Sequence, residues 1–354
     1  MIKEFIVPTV DLLKNYIENR SMSQKEFSKK IGMSEKSLSN FLNGKEVLTE
    51  ELASKFEEVF EGIPKSYWLN YESKYREVET NERVGYSFNN KQLSEISKKF
   101  RFKEVFNGLD WDLERQAEEM LSILQISNFN QFEEEYSNLA VDFMEDGGEI
   151  EPIAIWLNLC REEIEIQNED ISEVQYNKRN LLDALPIFKD IAYNKNIESS
   201  LQSARKLCNT LGINLVIQEA ITNSKVRGAL VIYENHPSIY LSLRFRFHDY
   251  VWFALVHELA HLILHYDTDQ EIISLDEDDT DDYKTKKEIE ANKFTQDFFI
   301  DPDKYKIFIE KRPFTQSEIE IFAHEQNILP GIVVARLQHD GYISYDRFTY
   351  LKTK

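Results

Sequence analysis

The stretch SIYLSLRFRFHDYVWFALVHELAHLILH, from Ser238 to His265, decides the fold. Ser238–Leu243 is a short run of strand type. A helix is predicted over 249–266, and Tyr250–Leu264 is the longest apolar run of the chain. Inside it His257-Glu258-Leu259-Ala260-His261 spells H-E-x-x-H. Residues i and i+4 share one helix face, so both imidazoles can reach a single Zn²⁺ at about 2.0–2.1 Å. Glu258 follows the first histidine, where it can take a proton from water. The bland alternative is a buried helix whose histidines are satisfied by neighbours. Two imidazoles and a carboxylate on an otherwise apolar helix are costly without a partner such as a metal, which favours the metal site.

A catalytic zinc needs a third protein ligand and an open position. His265 lies one turn further along the same face. It is too far along a straight helix to close on the same ion, and reads as an outer partner or a packing residue. The longer pattern H-E-x-x-H-x-x-G-x-x-H fails, because Leu264 stands at its Gly and Asp267 at its last His. The better source is EIEANKF, Glu288 to Phe294, on a second helix predicted from about 284 to 300 and stopped by Pro302. Glu290 lies close to the apolar stripe Ala291, Phe294 and Phe298 and is the favoured ligand. Glu288, on the other side of that stripe, is its rival. His257, His261 and Glu290 would make a His₂Glu zinc set.

Upstream of the quoted stretch, Ile213–Gln218 and Val226–Tyr233 are two more strand-like runs, so a small sheet is expected. The segment Ser238–Leu243 could take a substrate as an added strand. Downstream, nine acids and no base fall between Asp267 and Asp282. This run reads as a solvated loop, or as a lid over the cleft. His236, His248, His324 and His339 read as structural or surface residues. The chain up to about residue 75 reads as helices with short turns. Ser23 with Glu26 makes a capping box. Ser34 can cap SEKSLSNFLNG, and Thr49 opens EELASKFEEVF. Residues 76–110 are polar, and 111–210 read as several helices, one of them over 130–143, punctuated by Gly147-Gly148 and Pro186.

The chain has 354 residues and a formal net charge of −21, with 42% hydrophobic and 30% charged residues. These values suit a globular chain of two or three domains and exclude a coiled-coil rod, a collagen or a wholly disordered chain. Polar groups at Asp249, His257, Glu258, His261 and His265 spoil the longest apolar run as a membrane span. The first residues show no apolar core of a signal peptide, and Cys160 and Cys208 give neither a disulfide framework nor a metal spacing. The cytoplasm and no membrane partner are the expectation.

The quoted stretch, followed by EIEANKFTQDFFIDP, resembles the ImmA/IrrE family of bacterial zinc metallopeptidases. The resemblance rests on Ser242 with Arg244, on His257, Glu258 and His261, and on Glu290-Ala291-Asn292 with Phe294. It favours Glu290 as ligand, although the acidic segment lengthens the spacing from His261. The N-terminal SQKEFSKKIGMSEKSLSNFLNGKEVLTEELASKFEEVFEGIPKSYWLN resembles the XRE-type helix-turn-helix of HigA-like antidote proteins. The C-terminal ILPGIVVARLQHDGYISY resembles the end of chains that fuse both parts. The resemblance implies a mainly α fold with a small β-sheet (α+β), an N-terminal helix-turn-helix bundle and a zincin-like metallopeptidase core. The regions are then 1–75 helix-turn-helix, 76–110 linker, 111–210 helical middle, 211–310 peptidase core and 311–354 a C-terminal helical segment.

In a helix-turn-helix the second helix presents its N-terminal residues to base edges. Leu38, Phe41 and Leu42 would face inward, leaving Ser34, Lys36, Ser37, Ser39, Asn40 and Asn43 outward. Gln24 and Lys45 are phosphate-contact candidates. Residues 21–60 hold six Lys and seven Glu, a sum of −1. A DNA reader is usually basic, so a protein-docking or dimerisation module is the alternative. The function implied is a gene-regulatory zinc endopeptidase that cuts a specific regulatory protein such as a repressor, with operator DNA as a second partner and a homodimer as an option. The alternative is a HigA-like repressor or antitoxin, bound to a toxin, whose peptidase fold is mainly structural.

Overall fold

The computed structural model describes residues 7–20, 22–60, 62–80, 90–137, 148–167, 171–266, 272–275 and 286–354. The fold is mainly helical with one small sheet. Two compact units emerge, and chain order does not separate them. The first takes residues 1–144, 149–168 and 221–224, and the second takes the remainder.

The first unit holds α1 (Thr9–Asn19), α2 (Gln24–Lys30), α3 (Glu35–Leu42), α4 (Glu50–Val59) and α5 (Lys65–Thr80). It continues with α6 (Asn90–Lys99), α7 (Phe102–Val105), α8 (Leu113–Ile123), α9 (Phe132–Glu135) and α10 (Ile150–Gln167). The caps are those the sequence offers. Ser23 and Glu26 close a full capping box, and Ser34 and Thr49 accept from backbone N–H groups of the first turns they open. Phe27, Leu38, Phe41, Phe56, Phe60 and Trp68 fill the core of α1–α5. Phe56 meets Trp68 edge-on, with ring centroids 5.2 Å apart.

The polar stretch 76–110 is not a linker where it is described. Its charged residues cover the outer face of α6, while Leu93, Phe100, Phe102 and Phe106 are buried. Phe100 packs edge-on against Phe132 at 5.0 Å. Of the helix expected over 130–143, the described residues show α9, and residues 138–147 lie outside the described residues. Nor is 111–210 one region, because α8 to α10 belong to the first unit and α11 and α12 to the second.

The second unit holds α11 (Lys178–Ala192), α12 (Ile197–Thr210), β1 (Asn214–Gln218), β2 (Val226–Tyr233), β3 (His236–Ser242) and α13 (His248–Leu264). Then follow β4 (Ile272–Leu275), α14 (Lys286–Phe299), α15 (Pro302–Ile309), α16 (Gln316–Glu325) and α17 (Pro330–His339). Pro186 stands inside α11 and does not end it. The sheet order is β1-β3-β2-β4, with β1 parallel to β3 and the other pairs antiparallel. Glu234 and Asn235, at φ 48° and 67°, make the two-residue turn between β2 and β3. β4 lies within the acidic run read as a loop, and its backbone pairs with β2.

The segment read as a substrate-docking strand, Ser238–Leu243, falls on β3. That strand is paired on both sides, so it offers no edge to an added strand. α13 is buried around most of its circumference, against β2, β3 and α14, which explains why its sequence is apolar on every face. Its start is pinned from the C-terminal segment. The His248 N–H donates to the Thr353 carbonyl at 2.9 Å, and Lys352 pairs with Asp249 at 2.9 Å.

Candidate metal centre

α13 turns His257 and His261 to the same side, with their Nε2 atoms 2.9 Å apart. α14 brings the Glu288 carboxylate to both of them. One oxygen lies 3.0 Å from His257 Nε2 and the other 3.0 Å from His261 Nε2. Three donor atoms thus converge from two helices, and this trio could hold a metal ion. In a tetrahedral zinc site, bond lengths of about 2.0–2.1 Å put neighbouring ligand atoms about 3.3 Å apart. The spacing here is within a few tenths of an ångström of that, and two imidazoles with one carboxylate are a donor set that zinc accepts, so the residues fit the ion.

The carboxylate at this point is Glu288, where the sequence favoured Glu290. The reason lies in the buried face of α14. Ala291, Thr295 and Phe299 form that face, and Glu288 is the residue three positions before Ala291. Of the expected stripe only Ala291 lies on that face; Phe294 and Phe298 are half-buried at its flank, and the fully buried Thr295 takes the central place. Glu290 projects outward and binds His265 Nε2 at 3.0 Å, with Lys286 3.5 Å from its other oxygen.

His265 Nδ1 in turn lies 3.1 Å from His261 Nδ1. If His261 Nε2 faces a metal, its proton sits on Nδ1 and is donated to His265. The His265 proton is then on Nε2 and is donated to Glu290. Every hydrogen in this chain has one consistent place.

Burial presses His257 toward its neutral form, against the hydrogen bond and charge of Glu288. For His261 burial acts the same way, but the Glu288 hydrogen bond and the charges of Glu258 and Glu288 outweigh it and raise its pKa. Burial alone would raise Glu288. Its bonds to the two imidazoles prevail and hold it well below the usual carboxylate range.

Glu258 is 1% exposed and sits between α13 and the sheet. It reaches that place because β2 carries Gly228 there. A Cβ built on Gly228 would stand 2.5 Å from Glu258 Oε1. The sequence reading missed Gly228, although a lone glycine within the strand VRGALVIY is a signal of close approach. Arg227 beside it also went unread, and its charge acts on His257. Arg244 lies over the Phe245 ring at 5.1 Å, and its backbone N–H donates to Ser242 Oγ at 3.3 Å.

In the helix-turn-helix, Gln24, Ser34, Lys36, Ser39, Asn43 and Lys45 are exposed, and Ser37 and Asn40 are half-buried. Several of these polar groups serve the helix itself. Ser34 Oγ accepts from the Ser37 N–H at 3.0 Å and contacts Ser37 Oγ at 2.9 Å, and Asn43 Nδ2 donates to the Ser39 carbonyl at 2.7 Å. Asn40 Nδ2 reaches Glu46 at 3.4 Å, a long contact. Lys36, Gln24 and Lys45 make no such local contact among the described residues.

Residues 13–68 match the helix-turn-helix family, and residues 208–338 match the IrrE N-terminal-like domain family. The chain therefore combines a segment similar to XRE-type helix-turn-helix domains with a segment similar to ImmA/IrrE-type domains. No curated protein and no solved structure matches it. Among the described residues, no helix is long and apolar enough to cross a membrane.

Proposed function

We propose that the protein is a zinc-dependent endopeptidase that acts on a specific regulatory protein and is coupled to DNA through its helix-turn-helix. The observation that carries the peptidase reading is the convergence of His257 Nε2, His261 Nε2 and the Glu288 carboxylate within about 3 Å, with Glu258 on the same helix. These three residues would hold the ion, and Glu290 moves to the outer end of the chain through His265. A zinc ion bound there supplies a Lewis acid that polarises the scissile carbonyl and acidifies water. Glu258, buried and held against Gly228, takes the proton from that water and delivers it to the leaving amine. A purely structural metal site has no use for such a base.

The test is Glu258→Gln, which is nearly isosteric and leaves the three ligands in place. It should keep the zinc of the wild type and lose chelator-sensitive cleavage of a co-expressed partner by about 10²–10⁴-fold. An identical cut by both forms would remove this mechanism. If neither form cuts while both repress a reporter equally, the antitoxin-like reading takes its place.

For DNA the supporting feature is the exposed face of α3 with Gln24 and Lys45 beside it. Since Ser34, Ser37, Ser39 and Asn43 are engaged in the helix, Lys36 and Asn40 are the side chains left for bases and Gln24 and Lys45 those left for phosphates. Asn40→Ala should weaken operator binding by about 1–3 kcal/mol. A wild-type chain that gives no salt-sensitive complex with its own promoter would make the module a protein-docking one.

A further inference from the structure

A cavity of about 200 Å³ opens one helical turn before His257. Its walls are mostly apolar and come from α13 (Phe253, Ala254), the end of α14 with the residue after it (Phe299, Ile300) and α17 (Ile332, Ala335). Tyr250 and Tyr345, 40% and 59% exposed, stand among its lining and mark the side that reaches solvent. Two features tie it to the metal centre. Phe253 lines the cavity and also lies face to face with the His257 ring, centroids 6.4 Å apart and planes at 28°. Arg227 lines it too, one residue before the Gly228 that touches Glu258. The helix that carries the base and both imidazoles, and the strand whose Gly228 backs the base, thus continue into its wall.

Size and charge select an occupant. Ligand pockets for whole small molecules usually measure about 300–1,000 Å³, while a cavity of about 150 Å³ takes one benzene. This one suits a single aromatic ring. Three cations and one acid line it, but Lys352 pairs with Asp249 and Arg336 with Asp340 just outside the lining, so the one lining carboxylate is already taken. A lysine or arginine side chain would meet apolar walls and find no free carboxylate in the lining to pair with. We infer that this cavity is the specificity pocket of the peptidase, and that it takes a large uncharged aromatic side chain of the substrate next to the bond to be cut. The inference rests on the metal-centre reading above.

The test uses three hydroxamates, whose head group chelates zinc, on the zinc-loaded full-length chain by calorimetry. Acetohydroxamate reports the metal alone, 3-phenylpropionohydroxamate adds a ring, and 6-aminohexanohydroxamate adds a cation. The phenyl compound should bind about 10- to 100-fold tighter than acetohydroxamate, the amine no tighter. Ala335→Trp, which fills the cavity from α17, should abolish the phenyl gain and leave acetohydroxamate unchanged. Ala335→Leu, a smaller filling, should reduce the gain and serves if the tryptophan variant does not fold. Equal affinity for phenyl and methyl, a comparable gain with the amine, or a phenyl gain indifferent to both variants would each overturn the assignment. Failure of acetohydroxamate itself to bind would instead show that the metal centre is misread, and the pocket would fall with it.

Discussion

Gly228→Ala is the substitution that asks most of the arrangement around Glu258. The added Cβ would stand 2.5 Å from Oε1 and 2.9 Å from both Cγ and Cδ. Ordinary contact begins near 3.4 Å, so the carboxylate or the strand must retreat by about 0.9 Å. Three successive atoms clash, so turning the tip of the side chain brings no relief. Gly228 is paired to Leu241 in the sheet, and β2 cannot slide without breaking that register. A displacement near 1 Å of a catalytic group costs about 10²-fold in rate, and overpacking of this kind costs about 1–3 kcal/mol. His257, His261 and Glu288 are not in the clash. The expected outcome is zinc content like the wild type, a melting temperature lower by several degrees and cleavage of the partner slowed about 100-fold. Zinc per chain, a thermal melt and the rate of partner cleavage check the three parts. A Gly228→Ala protein that melts and cuts like the wild type would refute the claim that this glycine makes room for the base.

Further outcomes follow from the same geometry. Glu288→Ala should lose most of the zinc seen by metal analysis, while Glu290→Ala retains it; the reverse result would restore Glu290 as ligand. His265→Phe should weaken zinc about 10–100-fold in competition with a chromophoric chelator, since it removes the acceptor for His261 Nδ1–H, and an unchanged affinity would show the relay is idle. Burial alone would raise the Asp340 pKa, but hydrogen bonds from His339, Arg336 and Tyr305 outweigh it and hold the group at about 2. A depressed carboxylate stabilises the fold above its unfolded pKa, and that contribution fades as the pH falls from about 4 toward 2. Asp340→Asn should thus lower stability at pH 7 by about 1–2 kcal/mol, allowing for partial solvent screening, and the deficit should shrink in denaturant melts at low pH.

The helix caps show where sequence is a sufficient guide. Ser23, Ser34 and Thr49 are followed by apolar residues at helical spacing, and the interactions that open these helices are local. The histidine pair was legible for the same reason, since i and i+4 on one helix fix its geometry. The third residue of the candidate metal trio was not local. Choosing between Glu288 and Glu290 required knowing which face of α14 is most deeply buried, and two half-buried aromatic residues, Phe294 and Phe298, outvoted Thr295, a small polar residue that is fully buried. The linker reading failed in a similar way, because Lys and Glu on the outer face of α6 diluted the composition around Leu93 and Phe100. The sheet order was beyond reach: nothing in Ser238–Leu243 says that β1 lies along its far side. Gly228 was visible as a lone glycine in a strand, but only the strand's approach to α13 gives that glycine a meaning.

The tie between Lys352 and the start of α13 bears on how the protein can be handled. Both side chains are buried, Lys352 at 8% and Asp249 at 2% exposure, and the neighbouring Thr353 carbonyl receives the His248 N–H. Cutting the chain before Lys352 would do more than shorten a tail. It would strand a carboxylate in an apolar wall two turns from His257, a kind of loss worth about 3–5 kcal/mol. Replacing Lys352 and Thr353 with an affinity handle would therefore be harmful. Asp249→Asn together with Lys352→Met would be the way to learn whether the charge or merely the filled space keeps the ligand-bearing helix in position.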